Sequence, residues 1–162
     1  MFTVVCTHWD EQSDPQRQLS ASLLLRRSAS VHKHGPVFIL GDFNSPSSGA
    51  DSSGYKIMTG QLPPVALPSS FMDRFPVGDE DAGFVFTDVA QATPPLGRSG
   101  HHATFTDFAV QEDMDLKRID FVMAAGNSWK ALRYRVGENW RDNSALASDH
   151  RPVWVDVKIG SA

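Results

Sequence analysis

Cysteine is almost absent from this sequence. Cys6 stands alone, so no disulfide can form within the chain, and such usage leans toward a reducing, intracellular compartment. No apolar run is long enough to span a bilayer. The N-terminus lacks the basic stretch and apolar core of a signal peptide, so the expectation is a soluble chain with no transmembrane segment. Basic residues are also in short supply. Fifteen lysines and arginines against 19 aspartates and glutamates leave a net charge of −4, which is not the electrostatic footprint of a nucleic-acid binder. That argues against tight non-specific DNA binding without excluding a nuclease, because a bound divalent cation brings its own positive charge. Neither a Gly-x-Ser-x-Gly elbow nor a His-Glu-x-x-His helix occurs, which leaves serine and zinc hydrolases little support. No internal repeat or low-complexity tract interrupts the 162 residues, one domain's worth of chain.

What is present centres on Pro36-Val37-Phe38-Ile39-Leu40-Gly41-Asp42-Phe43-Asn44. Val37 to Leu40 is apolar and rich in β-branched and aromatic residues, which predicts a buried strand. Gly41 breaks the run, and Asp42 and Asn44 follow two residues apart. If the strand continues, both point to one side, and a carboxylate and a carboxamide meet at a strand end, where open α/β sheets place ligands. Gly, Asp, Asn, Ser and Pro are equally turn formers, so an ordinary turn stays open here.

Met1 to His8 reads as a strand from its first residue, and a chain that opens inside a strand looks cut. Asp14-Pro15 is a helix start, with Asp as cap and Pro at the first position. Leu19, Leu23, Leu24 and Val31 follow near helical spacing, with Arg17, Arg26 and Arg27 available for the wet side. Gly35-Pro36 closes that helix, which is expected from Pro15 to about His34. Strand, helix and the Val37–Leu40 strand make a βαβ-like unit. Ser45 to Gly54 is loop, Ser53 to Thr59 a short helix, Gln61 to Ser70 a proline-rich connection and Phe71 to Phe75 a helical turn. Asp79-Glu80-Asp81 is expected to be a solvated tip. Phe84 to Ala92 is ambiguous, and Thr93 to His102 is a Pro/Gly-rich loop of a length common among binding loops. His101-His102 on it is expected to be exposed. Strands are expected at Ala103–Phe108, Arg118–Ala125, Trp129–Val136 and Val153–Ile159, with Gly137–Ala147 as loop. Asp120, inside a strand, needs a partner, because an unpaired buried charge is costly.

Polar residues thus stand at the ends of, or inside, apolar strands at four places: His8, Asp42 with Asn44, Asp120, and Asp149 with His150. Thr7-His8-Trp9, Gly41-Asp42-Phe43-Asn44, Arg118-Ile119-Asp120-Phe121 and Ser148-Asp149-His150 occur in the order seen in the endonuclease/exonuclease/phosphatase superfamily, and nearly the whole chain resembles it. That group includes DNase I-like nucleases, abasic-site endonucleases, deadenylases, sphingomyelinases and inositol-phosphate phosphatases. Singly, each residue has an ordinary role open to it. His8 could end a strand, Asp120 could pair with Arg118 or an amide, and Asp149 could cap a turn. The four together in order favour the resemblance.

The resemblance implies an α/β (α+β) fold, a four-layer αββα sandwich of two mixed sheets, and a divalent-metal-dependent phosphoester hydrolase. Asp42 would orient or deprotonate the attacking water, and Asn44 would hydrogen-bond a phosphate oxygen. Asp149, with Asp42, would bind Mg²⁺ or Mn²⁺, which favour hard carboxylate oxygens. His150 would meet the phosphate with Asp120 behind it, and His8 would be a further phosphate contact. Arg118 would stand away from the reacting atoms. The substrate would be a phosphoester, whether nucleic acid, phospholipid or sugar/inositol phosphate. Trp9, Phe43 and Trp140 could stack on a base or pack, with packing favoured for Phe43. The loop Thr93–His102 is the candidate for substrate selection.

Family members also carry an earlier strand with an Asn-containing motif and a Glu that is a principal metal ligand. Nothing before Met1 supplies them, and Glu11 and Glu112 lie in the wrong context for the role. The expectation is one domain over 1–162, truncated at its N-terminus, with exposed strand edges prone to self-association. An alternative to the hydrolase is therefore a weakly active or inactive module that binds a phosphorylated ligand or partner.

Overall fold

In the computed structural model, residues 1–108, 116–138, 141–142 and 145–160 are described, 141–142 and 145–146 by their backbone only. Glu112 and Trp140 lie outside the described residues.

The chain opens with the expected βαβ unit. β1 (Thr3–His8) leads into α1 (Asp14–Ala29), and β2 (Val37–Asp42) returns parallel to β1. Ser13, not Asp14, caps the helix, its hydroxyl accepting the Gln16 amide at 3.4 Å. The helix stops at Ala29, earlier than its apolar spacing predicts, and His32–His34 form a separate 3-10 turn. The Ser30 hydroxyl donates back to the Arg27 carbonyl at 2.7 Å, a local bond that competes with helix continuation. Arg17, expected on the wet side, is buried, and the inward face of α1 is Arg17, Ala21, Ser22, Leu25, Ser28 and Ala29.

The remaining elements are α2 (Ser53–Met58), α3 (Ser69–Arg74), β3 (Thr87–Asp88), α4 (Val89–Ala92), β4 (Arg98–Gly100), β5 (Asp120–Ala125), β6 (Trp129–Val136), a short pair β7 (Arg141–Asp142) and β8 (Ala145–Leu146), and β9 (Val153–Ile159). The first sheet runs β1-β2-β5-β3 and the second β4-β6-β9, each mixing parallel and antiparallel pairs. Ala21 and Leu25 of α1 cover one face of the first sheet, packing with Val37, Ile39, Phe121 and Met123. The other face, with Phe38, Val122 and Ala124, packs on Ala131, Val153, Val155 and Val157 of the second sheet. Alternation along β2 and β9 sends successive residues to opposite faces, which is why both layers follow from those two strands. The fold is therefore α+β, with two mixed sheets face to face and helix outside the first.

Several expected elements are placed differently. Ala103–Phe108 is not a strand in a sheet. Phe105 alone makes antiparallel bridges, to Lys117 on one side and His150 on the other. The loop Thr93–His102 contains β4, which pairs with β6. The ambiguous stretch Phe84–Ala92 splits into β3 and α4, with Asp88 capping the helix through the Ala90 amide at 3.0 Å. Gly137–Ala147, read as loop, contains β7 and β8. The acidic tip is engaged rather than merely solvated, since Lys33 Nζ lies 2.7 Å from Glu80 and His32 Nε2 2.8 Å from Asp81.

Gly41 has φ of 144°. A Cβ at this position would fall 1.8 Å from the Thr7 carbonyl oxygen of the paired strand, so only glycine lets β1 lie beside β2 here. β1 and β9 each have one sheet neighbour among the described residues. Phe2, Val4 and Trp154 are exposed at these edges, the surfaces on which the expected self-association would draw. Among the described residues no helix is long and apolar enough to cross a membrane.

Phe43 is fully buried and stacks on Trp9 with ring centroids 4.1 Å apart, so both aromatics are packing residues. Replacing Phe43 with Ala is expected to cost about 3–5 kcal/mol, the range for a deleted core aromatic, measured as the shift of a urea unfolding midpoint.

Candidate active site

The register of three strands lines up three of the polar residues. His8 ends β1 opposite Asp42, which ends β2, and Asp42 lies opposite Asp120, which begins β5. Two carboxylates side by side on neighbouring strands repel. The compensating group is His150, which arrives after β8 and is not in either sheet. Its Nδ1–H donates to Asp120 Oδ2 at 2.8 Å, and its Nε2 stands 3.7 Å from Asp42 Oδ2. His8 Nε2 lies 3.5 Å from the same Asp42 oxygen, with most of its ring in solvent.

Asn44 does not continue the strand. Its φ of 46° is left-handed, a conformation asparagine tolerates, and its amide donates to Asp42 Oδ1 at 2.8 Å. One side-chain N–H donates to the Trp9 carbonyl at 2.9 Å, so the carboxamide is fixed with its second N–H uncommitted among the described residues. Asp149 precedes His150 on a turn closed by the His150 amide donating to Ser148 Oγ at 3.0 Å.

A pair of threonines missed by pattern reading ties these segments together. The Thr104 hydroxyl oxygen accepts the amides of Ile119 at 3.1 Å and Asp120 at 3.0 Å. The Thr106 hydroxyl donates to the Asp149 carbonyl at 2.9 Å, and the Thr106 amide does so at 2.7 Å. Both threonines are buried. Phe105 between them packs its ring 5.1 Å from His150. The signal available in the sequence was the Thr-Phe-Thr alternation, with two buried polar side chains that must find partners.

Burial pushes the Asp42 carboxyl above its ordinary value, and the Asp120 charge adds to this against the Asn44 amide and the two histidines. Partial burial works against the His150 imidazolium, but the hydrogen bond and charge of Asp120, with Asp42 and Asp149, outweigh it and raise His150 above its usual 6.5. Arg118 faces elsewhere. It forks onto Asp88 at 2.8 and 2.7 Å and donates to the Tyr134 hydroxyl at 3.1 Å. The Tyr55 hydroxyl also donates to Asp88, at 3.3 Å, and burial with the Asp88 charge pushes Tyr55 up to about 12. This buried knot joins α2, β3, β6 and the segment leading into β5, and leaves Asp120 to His150.

His8, Asp42, Asn44, Asp149 and His150 line one cavity of ≈ 510 Å³, together with Glu11, Asp51, Phe105 and Lys117. Asp120 sits behind His150. The loop Thr93–His102 does not reach this cavity. Its Leu96, Gly97 and Ser99 line a separate hollow of ≈ 580 Å³ on the outer face of the second sheet, beside Arg133 and Trp154. His101 and His102 stack on each other, 4.3 Å apart, away from the carboxylates lining the cavity.

The donor chemistry fits a hard divalent cation. Asp42, Asp120 and His150 present ligand atoms within 4.8 Å of one another, and Asp149 opens on the same cavity. Carboxylate oxygens gathered at a strand edge against a raised Asp42 are the set that Mg²⁺ or Mn²⁺ prefers. With Nδ1 of His150 committed to Asp120, the oxygens of Asp42 and Asp149 are the freer donors.

Strand-end carboxylates, a carboxylate-backed histidine and a carboxamide thus gather around one acidic cavity. Residues 2–150 match the model of the Endonuclease/Exonuclease/phosphatase family, and the chain belongs to that family. No curated protein matches it. Among solved structures, the endonuclease/exonuclease/phosphatase from Bacteroides vulgatus shares 23% identity over 94% of this chain and 47% of its own, with a TM-score of 0.67. A mannosyl-6-phosphatase from Bacteroides thetaiotaomicron shares 20% identity over 95% of this chain and 50% of its own, with a TM-score of 0.66. Truncated Caenorhabditis elegans TDP2 shares 15% identity over 98% and 54%, with a TM-score of 0.54. The chain thus spans about half the length of the structures it matches, and at these identities the likeness is one of fold.

The histidine shift carries a sign that can be checked. Because His150 is raised when folded, its stabilising effect is full below the unfolded value of 6.5 and is lost as pH rises through the folded value. In chelator, the stability difference between wild type and His150→Gln is therefore expected to shrink as pH rises from 6 to 9 in urea titrations. A difference that grows with pH contradicts the assigned pairing.

Proposed function

We propose that this chain carries the catalytic groups of a divalent-metal-dependent phosphoester hydrolase in which water attacks in line at phosphorus. The observation that supports it most is the row His8–Asp42–Asp120 closed by His150, a single cluster in which the Asp42 carboxyl and the His150 imidazole are both raised above their ordinary values.

Asp42 orients the water and takes its proton, the general-base role open to a carboxylate at a strand end. As the new P–O bond forms and the ester P–O bond breaks, negative charge grows on the phosphoryl oxygens. His150, kept as imidazolium by Asp120, meets that charge. The second N–H of Asn44 and the exposed ring of His8 reach the same oxygens. Asp149 and Asp42 would hold Mg²⁺ or Mn²⁺, which supplies Lewis-acid stabilisation of the phosphoryl charge. The substrate is a phosphoester, and the family fold alone does not choose among nucleic acid, phospholipid and sugar phosphate.

The test uses the whole chain with 4-nitrophenyl phosphate and its bis-ester in Mg²⁺ or Mn²⁺. Turnover is expected, lost in EDTA and lowered about 10²–10³-fold in kcat by His150→Ala, the range for removing a transition-state donor. A folded chain that binds phosphate without turnover would instead support a module that binds phosphorylated ligands.

A further inference from the structure

The outer face of the second sheet takes no part in the proposed hydrolysis, and its charges are oddly arranged. Ala131, Tyr134 and Val136 of β6 and Val153, Val155, Val157 and Ile159 of β9 pack inward, so the residues between them face out. Across the two strands these form three pairs: Lys130 opposite Lys158, Arg133 opposite Asp156, and Arg135 opposite Trp154. All six are exposed. Two lysines directly opposite each other repel. None of the four cations makes an ion pair among the described residues, and Arg135 lies over the Trp154 ring at 5.8 Å instead. Four cations thus stand beside one carboxylate, in a chain whose net charge is −4. An arrangement that works against the fold and neutralises nothing inside the molecule is accounted for by an anion outside it.

Apolar groups share this face. Leu96, on the turn before β4, is fully exposed, and Trp154 is half-exposed. Both line the same hollow as Arg133 and Arg135. An aromatic ring suits the headgroup level of a bilayer, and lysines and arginines beside it suit anionic headgroups. We propose that the outer face of β4, β6 and β9 docks on a membrane surface bearing anionic lipid. Lys130, Arg133, Arg135 and Lys158 lie against the headgroups, and Leu96 and Trp154 enter the interface. The contact is peripheral and needs no membrane-spanning segment. A nucleic-acid strand is also anionic, but it rewards stacked aromatic rings and not a protruding leucine.

The experiment is flotation of the whole chain with two kinds of vesicle. One is phosphatidylcholine alone, and the other is phosphatidylcholine and phosphatidylserine in equal parts. Binding is expected to the second only, and it should fall away at about 0.5 M salt, where charges are strongly screened. Lys158→Glu separates the surface from the fold, because it turns a repelling cross-strand pair into an attracting one. It is expected to raise the urea unfolding midpoint while lowering affinity for the anionic vesicles about tenfold. Leu96→Ser, at a fully exposed position, is expected to lower that affinity about tenfold as well, with the salt dependence unchanged. No binding, equal binding to both vesicles, or variants that bind like the wild type overturn the proposal. Tighter binding of a short single-stranded oligonucleotide, weakened by the same variants, also overturns it and assigns the face to nucleic acid. Loss of a dimer in Lys158→Glu on size exclusion overturns it too, and assigns the face to a second copy of the chain.

Discussion

The antiparallel register of β2 against β5 is the constraint from which the site follows. It sets Asp42 opposite Asp120, and the parallel register of β1 sets His8 opposite Asp42. Because side chains alternate along a strand, a slip of one residue in either pairing would send these groups to the core face and apolar ones to the cavity. The apolar cores on both faces of the first sheet hold the register, with Val37 and Ile39 toward α1 and Phe38 toward the second sheet. Hydrophobic packing thus enforces a juxtaposition of like charges that electrostatics alone opposes.

The rest of the molecule resolves that opposition. His150 comes from a distant part of the chain and sits between the two carboxylates, supported by the Thr104–Thr106 strap that bonds the Asp120 amide on one side and the Asp149 carbonyl on the other. Arg118, two residues before Asp120, is the nearest cation in sequence and could have neutralised it. Asp88 holds it in a bidentate pair instead. An imidazole, rather than a permanent guanidinium, therefore faces the cavity, and only the former can respond to proton transfer.

The strands that carry the site were legible because each combines an apolar run with a polar residue at its end, and both signals are local. Trp129–Val136 and Val153–Ile159 lie where their patterns put them, and the Val37–Leu40 strand runs on through Gly41 to Asp42. What could not be read depended on partners far away in sequence. Arg17 looks like a solvent-facing helix residue until Asp51, 34 positions later, is brought beside it. The stretch around Phe105 alternates like a strand, yet it bridges two irregular segments instead of joining a sheet. Asp88 fell within the ambiguous stretch Phe84 to Ala92 because the arginine it meets is 30 residues on. Helix α1 was over-extended because the hydroxyl of Ser30 competes locally with a helical pattern that the apolar residues continue.

The four letters Gly41-Asp42-Phe43-Asn44 are fixed for different reasons, and this bears on how the chain can drift. On the proposed reading, Asp42 answers to chemistry. Gly41 answers to the Thr7 carbonyl that leaves no room for a side chain, and Phe43 to the stack with Trp9. Asn44 answers both to its backbone turn and to its carboxamide. A descendant that abandoned the reaction but kept the fold would be free to lose Asp42 first, while Gly41 and Phe43 stayed. Glycine and phenylalanine flanking a missing aspartate would then be the mark of a retired member, and the motif's persistence alone would say more about architecture than about activity.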